Sequence, residues 1–221
     1  MKNSAIVGMG RTGTTALREI LLYLYKINKA KGISSGFRKG PLRYSHWDKS
    51  YIDFKESVVI ICKRDLRDVL ASTFRSISTK GLRMYNDDKF LLKNIKNYPP
   101  NFRIYKKIYG IPENEIIEYG KKLIDEGWDQ WISGVDYIFC YESFIRDPYK
   151  IINEVSDLIN FPKRNSAGAF EASQAWKIKH PKHITNSGAT QSWHDIFSEA
   201  QEKVIIDNFG HWLKKQGYIN G

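Results

Sequence analysis

A glycine-rich turn between an apolar segment and an amphipathic segment constrains this sequence more than any other feature. Residues 4–7 read Ser-Ala-Ile-Val and predict a short buried strand. The turn, residues 8–15, reads Gly-Met-Gly-Arg-Thr-Gly-Thr-Thr. From Thr14 to about Lys29, apolar residues recur at spacings of three and four, which predicts a helix. A strand, a glycine turn and a helix N-terminus in this order favour anion binding, because backbone N–H groups point at the anion.

The same order of strand and helix recurs along the chain. The continuous apolar run Val58–Cys62 predicts a parallel strand buried on both faces, followed by a helix over 66–77. Another strand is predicted over Tyr137–Tyr141, and Asp147-Pro148 predicts the start of a helix. Residues 30–45 are rich in glycine, serine and basic residues and predict a loop. This alternation predicts a P-loop-like, three-layer α/β/α fold with a central parallel sheet.

Composition limits the class of protein. The 221 residues fit a single domain over 1–221. Two cysteines exclude a disulfide scaffold. The N-terminus lacks the apolar run of a secretion signal, and no apolar segment is long enough to cross a bilayer. These features predict a cytoplasmic protein with no membrane partner.

The charge is strongly positive and unevenly distributed. The net charge is +11, and residues 1–100 hold 20 Lys and Arg against 8 Asp and Glu. Such an excess indicates a nucleic acid, an anionic surface or a polyanionic small molecule as partner. No block of like charges forms a basic tail, so the charge belongs to folded chain.

The glycine turn fits two familiar nucleotide sites only in part. Gly8-x-Gly10-x-x-Gly13 matches a dinucleotide fingerprint, which would make the protein an NADP-binding oxidoreductase. That fingerprint needs a second strand and an acidic residue about twenty positions on, whereas residues 28–45 show neither. The turn also resembles a nucleoside triphosphate loop, but Thr14 stands where the lysine should be, which disfavours phosphoryl transfer.

A third interpretation places the cation earlier in the turn. Arg11 precedes Thr-Gly-Thr-Thr, and this resembles the 5′-phosphosulfate loop of sulfotransferases, in which Lys or Arg precedes Ser/Thr-Gly-Thr/Ser-Thr/Ser. That family uses 3′-phosphoadenosine 5′-phosphosulfate (PAPS) as donor and leaves 3′-phosphoadenosine 5′-phosphate (PAP) as product. The resemblance implies a sulfotransferase-type fold and a donor loop formed by Arg11, Thr12, Gly13, Thr14 and Thr15. An ordinary glycine turn before a helix is the simpler alternative.

A second segment agrees with the resemblance. Arg64 follows the central predicted strand, and Ser72 lies eight residues later on the predicted helix. Sulfotransferases bind the 3′-phosphate of the nucleotide with an Arg and a Ser at this spacing, so the resemblance gives Arg64 and Ser72 that role. Taken alone, Arg-Asp-x-Arg-Asp over 64–68 also fits a surface cluster of ion pairs.

Two further segments resemble the family more loosely. The sequence from Tyr141 to Pro148 is similar to the family's Tyr-Glu-Asp-Leu-x-x-Asp-Pro, which implies an adenine contact for Tyr141, whose alternative is a place in the core. Asn186, Ser187 and Gly188 align with the family's Arg-Lys-Gly, which binds the 3′-phosphate. The missing Arg-Lys pair weakens that clamp, although side chains and backbone N–H groups of this segment still offer hydrogen bonds.

The resemblance also implies the chemistry. Sulfuryl transfer is in-line, and Arg11 would stabilise charge on the bridging oxygen. His46 is the predicted general base, since histidine titrates near neutral pH and this one lies where many members carry their catalytic histidine. An ordinary surface-loop histidine is the simpler alternative, in which case His183 or a carboxylate would be the base. No metal is required. The acceptor is a small molecule or carbohydrate with a hydroxyl or amine, bound by an insertion or lid over residues 78–135.

A protein of another class would explain part of the sequence. A basic nucleic-acid-binding protein accounts for the +11 charge and the 14% aromatic content. It leaves the glycine turn unexplained, and the sequence contains no named nucleic-acid-binding motif. No nucleic-acid partner is therefore predicted.

Overall fold

The computed structural model describes residues 1–31, 41–45, 52, 54–74, 111–179 and 190–220. Its strands form a four-stranded parallel sheet in the order β2-β1-β3-β4. Their bounds are Asn3–Val7 for β1, Leu42–Ser45 for β2, Ser57–Lys63 for β3 and Tyr137–Cys140 for β4. Helices flank this sheet, so the predicted three-layer α/β/α fold is confirmed.

The helices follow the strands as the sequence alternation predicts. They are α1 (Thr14–Ile27), α2 (residues 66–74), α3 (Glu113–Ile124), α4 (Gln130–Ile132), α5 (Tyr141–Arg146), α6 (Pro148–Ile159), α7 (Ser166–Lys179) and α8 (Glu199–Lys215). A π-helical turn, Asp125–Asp129, joins α3 to α4, and a 3₁₀ turn, Ser192–Asp195, precedes α8. Residues 75–77 of the predicted second helix lie outside the described residues.

Two helix starts follow directly from sequence chemistry. The Asp147 side chain accepts a hydrogen bond from the backbone N–H of Lys150, with Pro148 in the first helical position of α6. Ser198 and Gln201 form a capping box at the start of α8. Both caps satisfy N–H groups that a helix cannot satisfy internally, and this fixes where α6 and α8 begin.

The chain forms two compact units. The first comprises Met1–Arg64 with Lys122–Pro181. Its core joins one face of the sheet to α1, α5, α6 and α7, and β3 is buried along nearly its whole length. This burial on both faces of β3 is what its unbroken apolar run predicts.

The second unit comprises Asp65–Lys121 with Lys182–Gly221. Phe74 of α2 packs edge-on against Phe197 at a centroid distance of 6.2 Å and lies 5.9 Å from Tyr119 of α3. The amide of Gln201 donates a hydrogen bond to the carbonyl of Ile111 at 2.6 Å. These contacts bring together α2, α3 and the start of α8.

Two sequence predictions about local structure are wrong. Residues 30–45 were predicted as loop, yet Leu42–Ser45 pairs with β1 as strand β2. Its four residues are too few and too polar to show a strand pattern, and their hydrogen bonds come from the distant β1. The second strand that a dinucleotide fingerprint needs is therefore present. Tyr141, predicted as the end of β4, is instead the first residue of α5.

Candidate functional site

The carboxyl ends of three neighbouring strands meet at one edge of the sheet. The register pairs Val7 with Ile61 and Lys63 with Cys140, so β1, β3 and β4 end side by side. The glycine turn follows β1, Arg64 follows β3 and Tyr141 follows β4. In open α/β sheets, ligands bind beyond this edge.

The glycine turn, residues 8–13, has a backbone that ordinary side chains disfavour. Gly8 and Gly13 have φ values of 104° and 91°, and Arg11 has a φ of 69°. The buried Thr12 hydroxyl donates a hydrogen bond of 2.7 Å to the carbonyl of Met9, which holds the turn closed. Positive-φ residues interspersed with ordinary ones are typical of backbone turns whose N–H groups bind anions.

The turn leads directly into the N-terminus of α1. Gly13 is the N-cap, and within the described residues no side chain caps it. No acidic residue lies in the first turn of α1, which starts with Thr14 and is followed by Thr15. The positive end of the helix dipole therefore adds to the turn's N–H groups.

Arg64 lies against this turn. Its guanidinium Nη1 donates a hydrogen bond of 3.2 Å to the carbonyl of Arg11, and the side chain is only 6% exposed. The guanidinium carbon also lies 4.8 Å from the ring centroid of Tyr141, within the range of a cation–π interaction. A fixed cation thus touches the backbone of the anion-binding turn.

The ring of Tyr141 packs against the turn's last glycine, Gly13. A Cβ on Gly13 would lie 2.4 Å from Cδ2 of Tyr141, so the ring occupies the space that any larger residue at position 13 needs. Tyr141 is 5% exposed and belongs to the core of the first unit. Tyr141 therefore has a place in the core, and its contact with adenine stays a prediction.

In the second unit, Ser72 is buried on α2, at 6% exposure. One turn earlier, Asp68 is 1% exposed. Its carboxylate accepts a hydrogen bond from the backbone N–H of Gln191 at 2.8 Å and another from the hydroxyl of Ser192 at 3.0 Å. The helix that carries Ser72 is thus tied to the chain at 191–192.

Several predicted site residues lie outside the described residues, namely His46, Asn186, Ser187 and Gly188. His46 follows Ser45 in the sequence, and Ser45 ends β2 opposite Val7 of β1. Gly188 precedes Gln191, one of the two residues held by Asp68, by three positions.

The described residues fit a phosphate-type anion. The turn has positive φ values at Arg11 and Gly13, it leads directly into the N-terminus of α1, and the cation of Arg64 contacts its backbone. Among the described residues, no group of three or more His, Cys, Asp or Glu side chains is placed to hold a metal ion. None of the described helices combines the length and apolarity that crossing a membrane requires.

Solved structures share this architecture over almost the whole chain. The mouse sulfotransferase SULT7A1 complexed with PAP matches with a TM-score of 0.53, at 15% identity, covering 98% of this chain and 89% of that one. The chain has a sulfotransferase fold. Retinol dehydratase, in complex with androsterone and inactive cofactor PAP, matches with a TM-score of 0.53 at 12% identity, covering 95% of this chain and 81% of that one.

A second retinol dehydratase structure, with retinol and PAP, gives a TM-score of 0.51 at 12% identity and covers 95% of this chain and 82% of the other. No family model matches the sequence, and no curated protein matches it either. The predicted resemblance to PAPS-dependent sulfotransferases is confirmed at the level of the fold.

Sequence reasoning missed how Arg67 and Asp68 contribute to this sulfotransferase-type fold. Arg67 forms an ion pair of 2.6 Å with Asp65, donates to the carbonyl of Tyr218 and lies 4.3 Å from the ring centroid of Trp193. The repeated Arg-Asp pairs over 64–68 were the available signal. Among the described residues, the segment forms the ion pair between Arg67 and Asp65, and its other hydrogen bonds, from Arg67 to Tyr218 and to Asp68 from Gln191 and Ser192, fix distant segments of the second unit.

Proposed function

We propose that this protein is a PAPS-dependent sulfotransferase that moves a sulfuryl group to a hydroxyl or amine of a small-molecule or carbohydrate acceptor. The observation that carries the proposal is the contact between Arg64 and the backbone of Arg11 at the carboxyl edge of the sheet. It joins a fixed cation after β3 to an anion-binding turn after β1. A nucleotide with phosphate-type groups at both its 3′ and 5′ positions needs two such anion sites close together.

The donor carries about four negative charges, since each terminal phosphate-type group contributes roughly −1.5 to −2. The N–H groups of Thr12, Gly13, Thr14 and Thr15 would hold the 5′-phosphosulfate, together with Arg11. Arg64 and Ser72 would bind the 3′-phosphate, with further hydrogen bonds from Asn186, Ser187 and Gly188. The large positive charge of residues 1–100 would attract such a donor.

Each reacting group has a proposed partner in this chain. The bond between sulfur and the bridging phosphate oxygen breaks as the acceptor oxygen or nitrogen bonds to sulfur, and PAP leaves. Arg11 stabilises the charge that develops on the bridging oxygen; because arginine keeps its proton, its role is electrostatic. His46 takes the acceptor's proton. In support, β2 ends one residue before His46, at the edge of the sheet where the turn begins.

The acceptor would bind through residues 78–135, the longest stretch between elements of the donor site. The two retinol dehydratase structures hold androsterone and retinol, which are small apolar alcohols. Such acceptors are compatible with the proposal, as are sugars.

The direct test is calorimetric titration of PAP into the wild-type protein and into Arg64→Ala. We expect Arg64→Ala to weaken PAP binding about 10- to 100-fold, because hydrogen bonds to charged groups contribute about 1.5–3 kcal/mol. Arg146→Ala is the matched control, since it removes an exposed arginine of the same unit. Equal PAP affinity in all three proteins would contradict the assignment of Arg64.

One observation favours a second candidate, an NADP-binding oxidoreductase. Strand β2 runs parallel to β1 on the side away from β3, as a dinucleotide fingerprint requires. Residues 28–45 still lack the acidic residue of an NAD site, so the 2′-phosphate of NADP would need a basic partner. Tighter binding of NADP than of PAP would favour this candidate.

A further inference from the structure

The ring of Tyr141 contacts two residues of the proposed nucleotide site, Gly13 and Arg64. Its ring lies so close to Gly13 that a Cβ there would stand 2.4 Å from Cδ2 and 3.1 Å from Cε2. The same ring faces the guanidinium of Arg64 at 4.8 Å. Tyr141 therefore touches both the end of the glycine turn and the cation that binds its backbone.

These contacts reach two of the three positive-φ residues of the turn, Gly13 and Arg11. Gly13, with a φ of 91°, rests on the ring directly. Arg11, with a φ of 69°, is held through its carbonyl by Arg64, whose guanidinium is placed over the ring. A left-handed conformation is unfavourable for a residue with a side chain, so Arg11 needs support from its surroundings.

We propose that Tyr141 is a positioning residue of the nucleotide site, which sets the shape of the phosphate-binding turn through Gly13 and Arg64 instead of contacting the adenine. This inference rests on the proposed function for the identity of the ligand. The contacts of Tyr141 with Gly13 and Arg64 do not depend on that function. At 5% exposure the ring has little surface left for a base to stack on. Tyr141 then stabilises the backbone conformation of residues 8–13.

The chain offers a matched set of variants. Tyr141→Phe keeps the ring, whereas Tyr141→Leu removes it. Phe144→Leu removes a neighbouring ring from the same core, where Phe144 packs against Phe139, Tyr141 and Phe170. Tyr141→Leu and Phe144→Leu should lower thermal stability, so a merely structural role predicts similar behaviour for both.

The first readout requires no ligand. Amide hydrogen exchange of residues 9–15 should become about tenfold faster in Tyr141→Leu, a change of ~1.4 kcal/mol in local opening. In Tyr141→Phe and Phe144→Leu the exchange of this segment should match the wild type. Unchanged exchange in Tyr141→Leu, or an equal increase in Phe144→Leu, would overturn the proposal.

The second readout separates turn support from adenine contact. PAP, which is adenosine 3′,5′-bisphosphate, is titrated into each variant. Its guanosine analogue, guanosine 3′,5′-bisphosphate, and pyrophosphate are titrated in the same way. Turn support predicts that Tyr141→Leu weakens all three by a similar factor and leaves the preference for adenine over guanine unchanged. Loss of that preference with unchanged pyrophosphate binding would show that Tyr141 contacts the base. Absence of PAP binding to the wild-type protein would refute the proposed function. The hydrogen-exchange comparison would still test the role of Tyr141 in the turn.

Discussion

The carboxylate of Asp68 and the hydroxyl of Ser192 form a buried hydrogen bond of 3.0 Å between distant parts of the sequence. The other carboxylate oxygen accepts the backbone N–H of Gln191, which has a left-handed φ of 59°. Asp68 thereby fixes the chain shortly after Asn186-Ser187-Gly188, the segment proposed to bind the 3′-phosphate. The same helix, α2, carries Ser72, so one element serves two parts of that proposed site.

Asp68→Ala should lower both stability and PAP affinity. It leaves the buried hydroxyl of Ser192 without its acceptor, which costs about 1–3 kcal/mol if that group stays unsatisfied, and it also removes the partly buried hydrogen bond from the N–H of Gln191. Urea denaturation measures the free energy of unfolding, and calorimetry measures PAP binding. Asp207→Ala is the control, because its ion pair with Lys203 is exposed and should contribute less than about 1 kcal/mol. Equal stability of the two variants would contradict the anchoring role of Asp68.

His46→Ala should abolish turnover while leaving the donor site intact. Loss of a general base lowers the rate by about 10²- to 10⁴-fold. Release of PAP from PAPS in the presence of an acceptor measures turnover, and calorimetry measures PAP affinity, which should stay unchanged. His211→Ala, an exposed histidine on α8, should behave like the wild type in both assays. Near-normal turnover in His46→Ala would remove this residue from the mechanism.

Gly8→Ala should destabilise the first unit. A Cβ at Gly8 would lie 2.7 Å from Cγ1 of Ile61, and the φ of 104° is itself unfavourable for alanine. Overpacking of this kind typically costs about 1–3 kcal/mol, in addition to backbone strain. Gly217→Ala provides the comparison, since Gly217 has a φ of 80° but no atom within 4 Å of the added Cβ. A loss of unfolding free energy no larger in Gly8→Ala than in Gly217→Ala would show that Ile61 accommodates the methyl group.

Glu115→Gln should stabilise the protein at neutral pH. Burial raises the pKa of the Glu115 carboxyl, and the nearby Glu118 raises it further. The folded state thus holds the proton more tightly than the unfolded state. Ionisation therefore opposes folding, and stability falls as the pH rises from the ordinary carboxyl pKa through the raised one.

The measurement is the difference in Tm between Glu115→Gln and the wild type across this pH range. The difference should be positive at neutral pH and vanish below the ordinary pKa of glutamate. Glu113→Gln, exposed in the same first turn of α3, controls for the helix dipole. A lower Tm for Glu115→Gln at neutral pH would contradict the inferred burial penalty.

Local sequence predicted the elements whose stabilising interactions are local. The turn at 8–13, the apolar run of β3 and the cap at Asp147 each depend on residues within a short stretch of sequence. Strand β2 was missed because its support comes from β1: Arg43 pairs with Ala5, and Ser4 donates its N–H to Pro41 at 2.7 Å.

Residues of the candidate site could be predicted where a sequence motif fixes their position in the backbone. They could not be predicted where packing between distant segments brings them together. Arg11 and Arg64 were identified from the turn and from the strand end. The contact between Tyr141 and Gly13 was not, because nothing in either local sequence indicates that they meet. The hydrogen bonds of Asp68 likewise depend on the fold that brings Gln191 and Ser192 to α2.

The central claim is that the glycine turn and Arg64 form a site for a nucleotide with phosphate-type groups at its 3′ and 5′ positions. The most direct measurement is thermal stabilisation of the wild-type protein by PAP, compared with ATP, NADP, adenosine 5′-phosphate and duplex DNA at equal concentration. We expect PAP to raise the Tm most, and adenosine 5′-phosphate to raise it much less because it lacks the 3′-phosphate. Equal stabilisation by PAP and adenosine 5′-phosphate, or a larger shift with NADP or DNA, would contradict the account.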